Sequence, residues 1–200
     1  MPSRRASQGD RDAVILEAAV GPLPPPRSAA VLVMLSGLPG SGKSHLASEI
    51  CRRYPLAHLE SDALRKALFK RPGYTQQESS RVFAAVHALL DSLLARGAPA
   101  LLDATNLKEA HRQPVYDIAE RHNAKLIIVQ TIAPEAVVRR RMGARLAGAN
   151  PLDRSDAGID VYEAMRDEAE PIQREHLVVD TSGDVSSIVD MIVRELESRL

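Results

Sequence analysis

The sequence predicts an α/β protein in which a parallel sheet is covered by helices on both faces. Strand-like and helix-like patterns alternate from residue 30 to the C-terminus. The first strand, Ala30–Leu35, is a continuous aliphatic run of the kind a strand buried on both faces requires. A glycine-rich loop joins that run to a helix, and 200 residues with 44% hydrophobic content are enough for one domain with a sizeable core.

Residues 1–28 differ from the rest. They hold five of the thirteen prolines around a short helix predicted at Asp12–Val20, and Pro22–Pro26 would stiffen into a spacer. This stretch is expected to be a flexible terminal arm, with the domain proper at 29–200. After the first strand a helix is expected at Lys43–Arg53, a strand at Ala57–Glu60 and a helix at Ser61–Phe69. A long helix at Gln76–Arg96 carries Val82, Phe83, Val86, Leu89, Leu90, Leu93 and Leu94 on one stripe and is stopped by Gly97 and Pro99. Ala100–Asp103 is the third strand, Glu109–His122 a helix and Lys125–Gln130 the fourth strand. A helix at Pro134–Leu146 has proline in its first turn, and 147–157 reads as a loop. The pattern closes with a helix at Ile159–Glu170, a strand at Leu177–Asp180 and a helix at Val185–Leu200.

Charge and composition exclude several classes. Lys plus Arg and Asp plus Glu number 26 each, so no long basic surface for wrapping duplex or membrane is implied. Six aromatics and no Trp make an extended base-stacking platform a poor expectation. The single cysteine, Cys51, has no partner for an internal disulfide, and six scattered histidines lack metal-finger spacing. The longest uncharged apolar run, Ala29 to Leu35, is far short of the ~20 residues that span a bilayer. A cytoplasmic protein without structural zinc is expected, with no membrane and no readable protein partner. Arg4-Arg5 is not followed by the apolar stretch of an export signal.

Gly37-Leu38-Pro39-Gly40-Ser41-Gly42-Lys43-Ser44 fits the phosphate-loop (Walker A) pattern G-x-x-x-x-G-K-S, with a buried strand before it and a helical segment after it. Glycines let successive N–H groups and the positive end of a helix approach an anion closely. Lys43 would reach the β and γ phosphates of ATP or GTP, and Ser44 Oγ would ligate Mg²⁺.

In open parallel sheets ligands bind beyond the carboxyl ends of the strands, which directs attention to the residues just after each one. After the second strand, Asp62 and Arg65 share one face of a first helical turn. Asp62 could accept a proton from an acceptor hydroxyl and Arg65 could hold an anionic group, although the same residues also suit a helix cap and a surface pair. Asp103 ends the third strand where a carboxylate could orient Mg²⁺ through water. Thr105 and Asn106 follow as polar contacts or as turn residues. Arg139, Arg140, Arg141, Arg145 and Arg154 form a local positive patch with only Asp153 against it. Arg141 and Arg145 share a helix face, as a mobile lid over about 139–157 would need, while Arg139 and Arg140 face solvent.

In combination these blocks, with Pro134 before Arg141 and Arg145, resemble the kinase domain of 5′-hydroxyl polynucleotide kinases. The wider set is that of small phosphate-loop kinases related to zeta toxins and chloramphenicol phosphotransferases. The resemblance runs from about Val31 to Leu177. It implies a three-layer α/β/α P-loop NTPase fold with a five-stranded parallel sheet in the order 2-3-1-4-5 and a helical lid. It also implies a kinase that uses ATP and Mg²⁺. By the resemblance Lys43, Asp62 and Arg145 would be catalytic, Asp62 as general base and Arg145 on the migrating phosphoryl group. Residues 37–44, His45, Arg141 and Arg145 would bind ATP, and Thr181-Ser182-Gly183 would border the base. Arg65, Asp103, Thr105 and Asn106 would join Asp62 in holding the acceptor, and Ser44 and Asp103 would hold the metal, Asp103 through water. Arg154-Ser155-Asp156-Ala157 resembles a segment common in bacterial kinases of this group.

The acceptor implied is the 5′-OH end of DNA or RNA. Neutral charge and few aromatics keep a small-molecule hydroxyl (metabolite, nucleoside or antibiotic) as the alternative. A nucleotide-hydrolysing switch is the third reading.

Overall fold

The computed structural model describes residues 7–146 and 159–198, with Arg145 and Leu146 described by their backbone alone. The helix α1 (Gln8–Val20) precedes strand β1 (Val31–Ser36), α2 (Lys43–Arg53), β2 (Ala57–Glu60), α3 (Ser61–Leu68) and α4 (Gln76–Ala95). Then follow β3 (Ala100–Asp103), α5 (Glu109–Arg121), β4 (Lys125–Ile132), α6 (Glu135–Leu146), α7 (Ile159–Asp167), β5 (Leu177–Asp180) and α8 (Ser186–Glu197).

All strand pairings are parallel and the sheet order is β2-β3-β1-β4-β5, as expected. Alternate residues of the strands feed two apolar layers. Leu32, Met34, Leu59 and Leu102 bury against α1, α3, α4 and α5, while Val31, Val33, Leu35, Leu101 and Val129 bury against α2 and α8. β1 is buried along its whole length because it is central and covered on both faces. A smaller cluster of Val138, Met142 and Tyr162 joins α6 to α7, with Leu38 of the phosphate loop packed against it.

Two differences from the sequence expectation have local causes. β4 extends past Gln130 through Thr131 and Ile132, because pairing with β5 continues to Ile132↔Asp180. The N-terminal stretch, expected as an arm around a short helix at Asp12–Val20, carries that helix from Gln8 onward and packs it on the core. Ser7 caps α1 in a reciprocal capping box with Asp10. Ala13 and Leu16, three apart on one face, enter the core against α4, and Leu16 is fully buried. Further on, Arg27 N–H donates to Gly97 O at 2.9 Å and the Arg27 guanidinium lies 4.5 Å over the Tyr54 ring. Among the described residues no helix is long and apolar enough to cross a membrane.

The turn that follows α4 positions β3. Gly97 has φ +71°, and Ala98 N–H and Gly97 N–H donate back to Leu93 O and Leu94 O in a Schellman arrangement. A Cβ at Gly97 would lie 2.7 Å from Arg27 O. Gly97→Ala is therefore expected to lower stability by about 1–3 kcal/mol, from the left-handed strain and the forced shift of Arg27. A fall in the urea midpoint at constant m-value checks this.

Candidate active site

The order of strands places the carboxyl ends of β1, β2, β3, β4 and β5 along one edge, with the phosphate loop rising from the central strand. Gly37, Gly40 and Gly42 have φ of +154°, +77° and +88°. At two of them the reason for glycine is a neighbour as well as the turn. A Cβ on Gly37 would stand 2.4 Å from Thr131 Oγ1, and one on Gly42 would stand 2.5 Å from Thr181 Oγ1. Gly42 is the N-cap of α2, so the helix N-terminus opens directly under the loop.

A buried set of hydroxyls fixes the loop from below. Ser41 and Thr131 hydroxyls hydrogen-bond at 2.7 Å, and Thr131 Oγ1 lies 3.4 Å from Ser36 O. Thr181 Oγ1 donates to Ser41 O at 2.7 Å. Arg141, from α6, donates through Nη1 to Thr181 Oγ1 at 2.9 Å and Gly40 O at 3.2 Å, and through Nη2 to Thr181 O at 2.6 Å. Lys43 Nζ donates to Gly37 O and Leu38 O, each at 3.0 Å, which keeps the ammonium inside the curve of the loop. Ser44 and His45 are exposed on the first turn of α2.

On the other side of β1, Asp103 is 3% exposed, and its Oδ2 has no hydrogen-bond partner among the described residues. It lies 3.6 Å from His58 Nε2, which is likewise unpartnered. An orphaned carboxylate oxygen and the Ser44 hydroxyl are hard oxygen donors of the type Mg²⁺ takes. Among the described residues no group of three or more His, Cys, Asp or Glu side chains could enclose a metal, so such an ion would need phosphate oxygens of a nucleotide as further ligands. Cys51 is close enough to feel the charge of Asp103. Burial foremost, and that charge second, push its thiol up to about 12.

Thr105 and Asn106 are built into the scaffold. Gly37 N–H and Ser36 Oγ donate to Thr105 O at 2.9 and 3.3 Å, and Ser36 Oγ also reaches Asn106 O at 3.1 Å. Asn106, at φ +46° and buried, gives its amide to Leu35 O at 2.7 Å. Arg112, fully buried, donates to Asn106 O, Leu107 O, Glu170 O and Pro171 O and pairs with Glu109 at 2.7 Å. The β3–α5 turn is thereby fixed against both the phosphate loop and the irregular segment that leaves α7.

β2 and β3 run in register with Glu60 beside Asp103, so Asp62 begins α3 next to the end of β3. Arg65, one turn later, is 7% exposed. Its Nη2 donates to Ser79 Oγ at 3.1 Å and its guanidinium lies 5.0 Å over the Tyr74 ring, while Nε and Nη1 are buried without a hydrogen-bond partner among the described residues. Tyr74 holds a φ of +52° at the loop before α4. The result is half a guanidinium fork with donors in place for an anion.

Of the residues the sequence singled out, the phosphate loop, Asp62, Arg65, Asp103 and Arg141 gather at this edge. Arg139 is instead paired with Glu135 and Glu163 on the surface. The Arg145 side chain and the 147–157 part of the lid, with Arg154, lie outside the described residues. Ser36, Thr131, Arg112, Ser79 and Tyr74 were not singled out. For Thr131 a signal existed, since a Thr directly after a strand's expected end is where a buried hydroxyl would face the loop.

A family model described as an AAA domain matches residues 32–172, well over half of the chain. No curated protein matches it. Among solved structures, the chain is similar to a Chloroflexus aurantiacus protein at 18% identity and TM-score 0.68, covering 86% of this chain and 98% of that one. It is similar to the Mycobacterium tuberculosis APS kinase, solved with AMPPNP and APS, at 21% identity and TM-score 0.62, covering 86% and 99%. It is also similar to a Sinorhizobium meliloti gluconokinase at 22% identity and TM-score 0.60, covering 86% and 94%. These likenesses establish the P-loop NTPase fold.

Two measurements follow from the geometry. Thr131→Val leaves the Ser41 hydroxyl buried without its partner, so nucleotide affinity should fall by about 1–3 kcal/mol, read by calorimetric titration with ATP. The Cys51 thiol stays protonated in the folded chain while an unfolded thiol ionises near about 8.5. Its contribution to stability is full below that value and is lost as pH rises above it. Native Cys51 should therefore resist iodoacetamide at pH 9 that labels the urea-unfolded chain.

Proposed function

Since the chain belongs to the AAA domain family, we propose that it is a P-loop kinase that moves the γ-phosphoryl group of ATP to a hydroxyl on an anionic acceptor. The observation that carries this is the buried, half-unpartnered guanidinium of Arg65 one helical turn from Asp62. A hydrolytic switch has no need of a second anion cradle beside a carboxylate, and a neutral sugar would leave that charge unmet.

In the reaction, the acceptor oxygen forms a bond to the γ phosphorus as the bond to the departing ADP oxygen breaks. Asp62 takes the acceptor proton. The loop amides, Lys43 and the α2 N-terminus hold the phosphates in line, and Arg65 sets the acceptor through its charged group. Arg141 and Arg145 of the lid would carry charge toward the nucleotide and the transferring group, with Thr181, Ser182 and Gly183 beside the base. Mg²⁺, held by Ser44 and through water by Asp103, would neutralise charge developing on the phosphate oxygens. His45 flanks the phosphates at the loop's exit, and Thr105 and Asn106 shape the floor beneath the acceptor.

The 5′-OH end of a polynucleotide is the acceptor proposed first, its adjacent phosphate meeting Arg65. A small anionic metabolite is the second reading. It is favoured by the tight setting of Arg65 between Ser79 and Tyr74, and by the APS in the similar APS kinase structure.

Labelled ATP offered with a 5′-hydroxyl oligonucleotide, anionic hydroxyl metabolites and neutral sugars tests this. Transfer to the oligonucleotide supports the first acceptor, and transfer to the metabolites alone supports the second. Slow phosphate release without any phosphorylated acceptor overturns the kinase reading. Lys43→Ala should abolish transfer. Asp62→Asn should lower kcat by about 10²–10⁴ with ATP binding retained, and Arg65→Ala should raise the acceptor KM with the ATP KM unchanged.

A further inference from the structure

The helix α1 lies outside the matched family region, which begins at residue 32, yet it packs on the two helices that frame Arg65. Its one buried charge is Asp12. That carboxylate accepts Arg81 Nε at 2.7 Å and Arg81 Nη2 at 2.9 Å, a bidentate pairing, and Gln8 Nε2 at 2.9 Å. The hydrogen bond from Arg81 holds its carboxyl below the usual carboxylate range.

From Arg81 a chain of contacts leads to Arg65. The Arg81 guanidinium lies 5.2 Å over the ring of Phe69. Phe69 closes α3, its backbone N–H donating to Arg65 O at 2.9 Å. The Arg65 guanidinium in turn donates to Ser79, which stands two residues before Arg81 on α4. The path closes on itself through two helices, and α1 supplies its only acidic member. An ion pair of this kind contributes little as a surface contact, but a carboxylate 2% exposed under a fork fixes direction.

We propose that Asp12 and Arg81 are positioning residues of the anion site: the α1 carboxylate pins the α3–α4 corner and so aims the free donors of Arg65. The anion's identity as the acceptor's charged group rests on the kinase reading above, whereas the pinning does not. Misplacement of a fork by about 1 Å costs roughly ten- to a hundredfold in an oriented contact. That is the scale expected here.

The test uses the full chain with the phosphate loop filled by AMPPNP, and inorganic phosphate as the probe, so no transfer is required. Wild type should bind one further phosphate that Arg65→Ala abolishes. Asp12→Asn should weaken that phosphate about tenfold and leave AMPPNP affinity within about twofold, with Asp12→Glu restoring most of the loss. Arg81→Lys, which keeps the charge but not the fork, should fall between them and serves as the readout if Asp12→Asn does not fold. Equal phosphate affinity in wild type and both variants overturns the proposal. So does absence of a second phosphate site in wild type, and so does a parallel loss of AMPPNP affinity, which would mark the pair as merely structural. If phosphate binding behaves as expected while no acceptor is phosphorylated, the positioning role stands and the kinase reading falls.

Discussion

The hydroxyls of Ser41 and Thr131 meet at 2.7 Å, and that approach sets how near β4 can come to the phosphate loop. With Thr131 there, Gly37 can carry no side chain, and with Thr181 on the other flank neither can Gly42. The glycines are thus required from two directions, by the turn they make and by the strands they touch. Arg141 closes the same arrangement from above, binding Gly40 O and Thr181 together. The loop's shape is a property of β1, β4, β5 and α6 jointly.

That shared dependence divides what could be read from the residues alone. The loop was legible because its chemistry is local, eight consecutive positions between a strand and a helix. The sheet was legible for a similar reason, as each strand is a short apolar run bounded by turn residues. Asp12 was not. Its partner is 69 positions away, and a carboxylate on an amphipathic helix ordinarily faces water. Arg112 was hidden too, since an arginine on a polar-looking helix face gives no sign that six donor–acceptor contacts will enclose it. Asn106 could be read either as a polar contact or as a turn residue, and its amide serves the backbone, because a left-handed residue with a short amide can reach a neighbouring strand's carbonyl.

The neutral total charge of the chain also takes on a spatial meaning. Several cations at the sheet's carboxyl edge hold backbone: Lys43 the loop carbonyls, Arg141 the β5 turn and Arg112 the β3 turn. Surface charges such as Arg139 and Lys108 are matched by nearby carboxylates. Each of these described cations is thus engaged by its own local partners.

Arg112 has a bearing on how the chain reaches this fold. Its donors join carbonyls at 106 and 107 to carbonyls at 170 and 171, across an interval that contains β4, α6 and α7. Until that interval has looped back, the guanidinium has an incomplete set of acceptors and favours staying in water. Enclosing it is a non-local event, which belongs late on a folding route where the β1–β3–β2 half can form first. The turn that steadies the phosphate loop would then be among the last parts to become rigid, so the nucleotide site matures only when nearly the whole chain is in place.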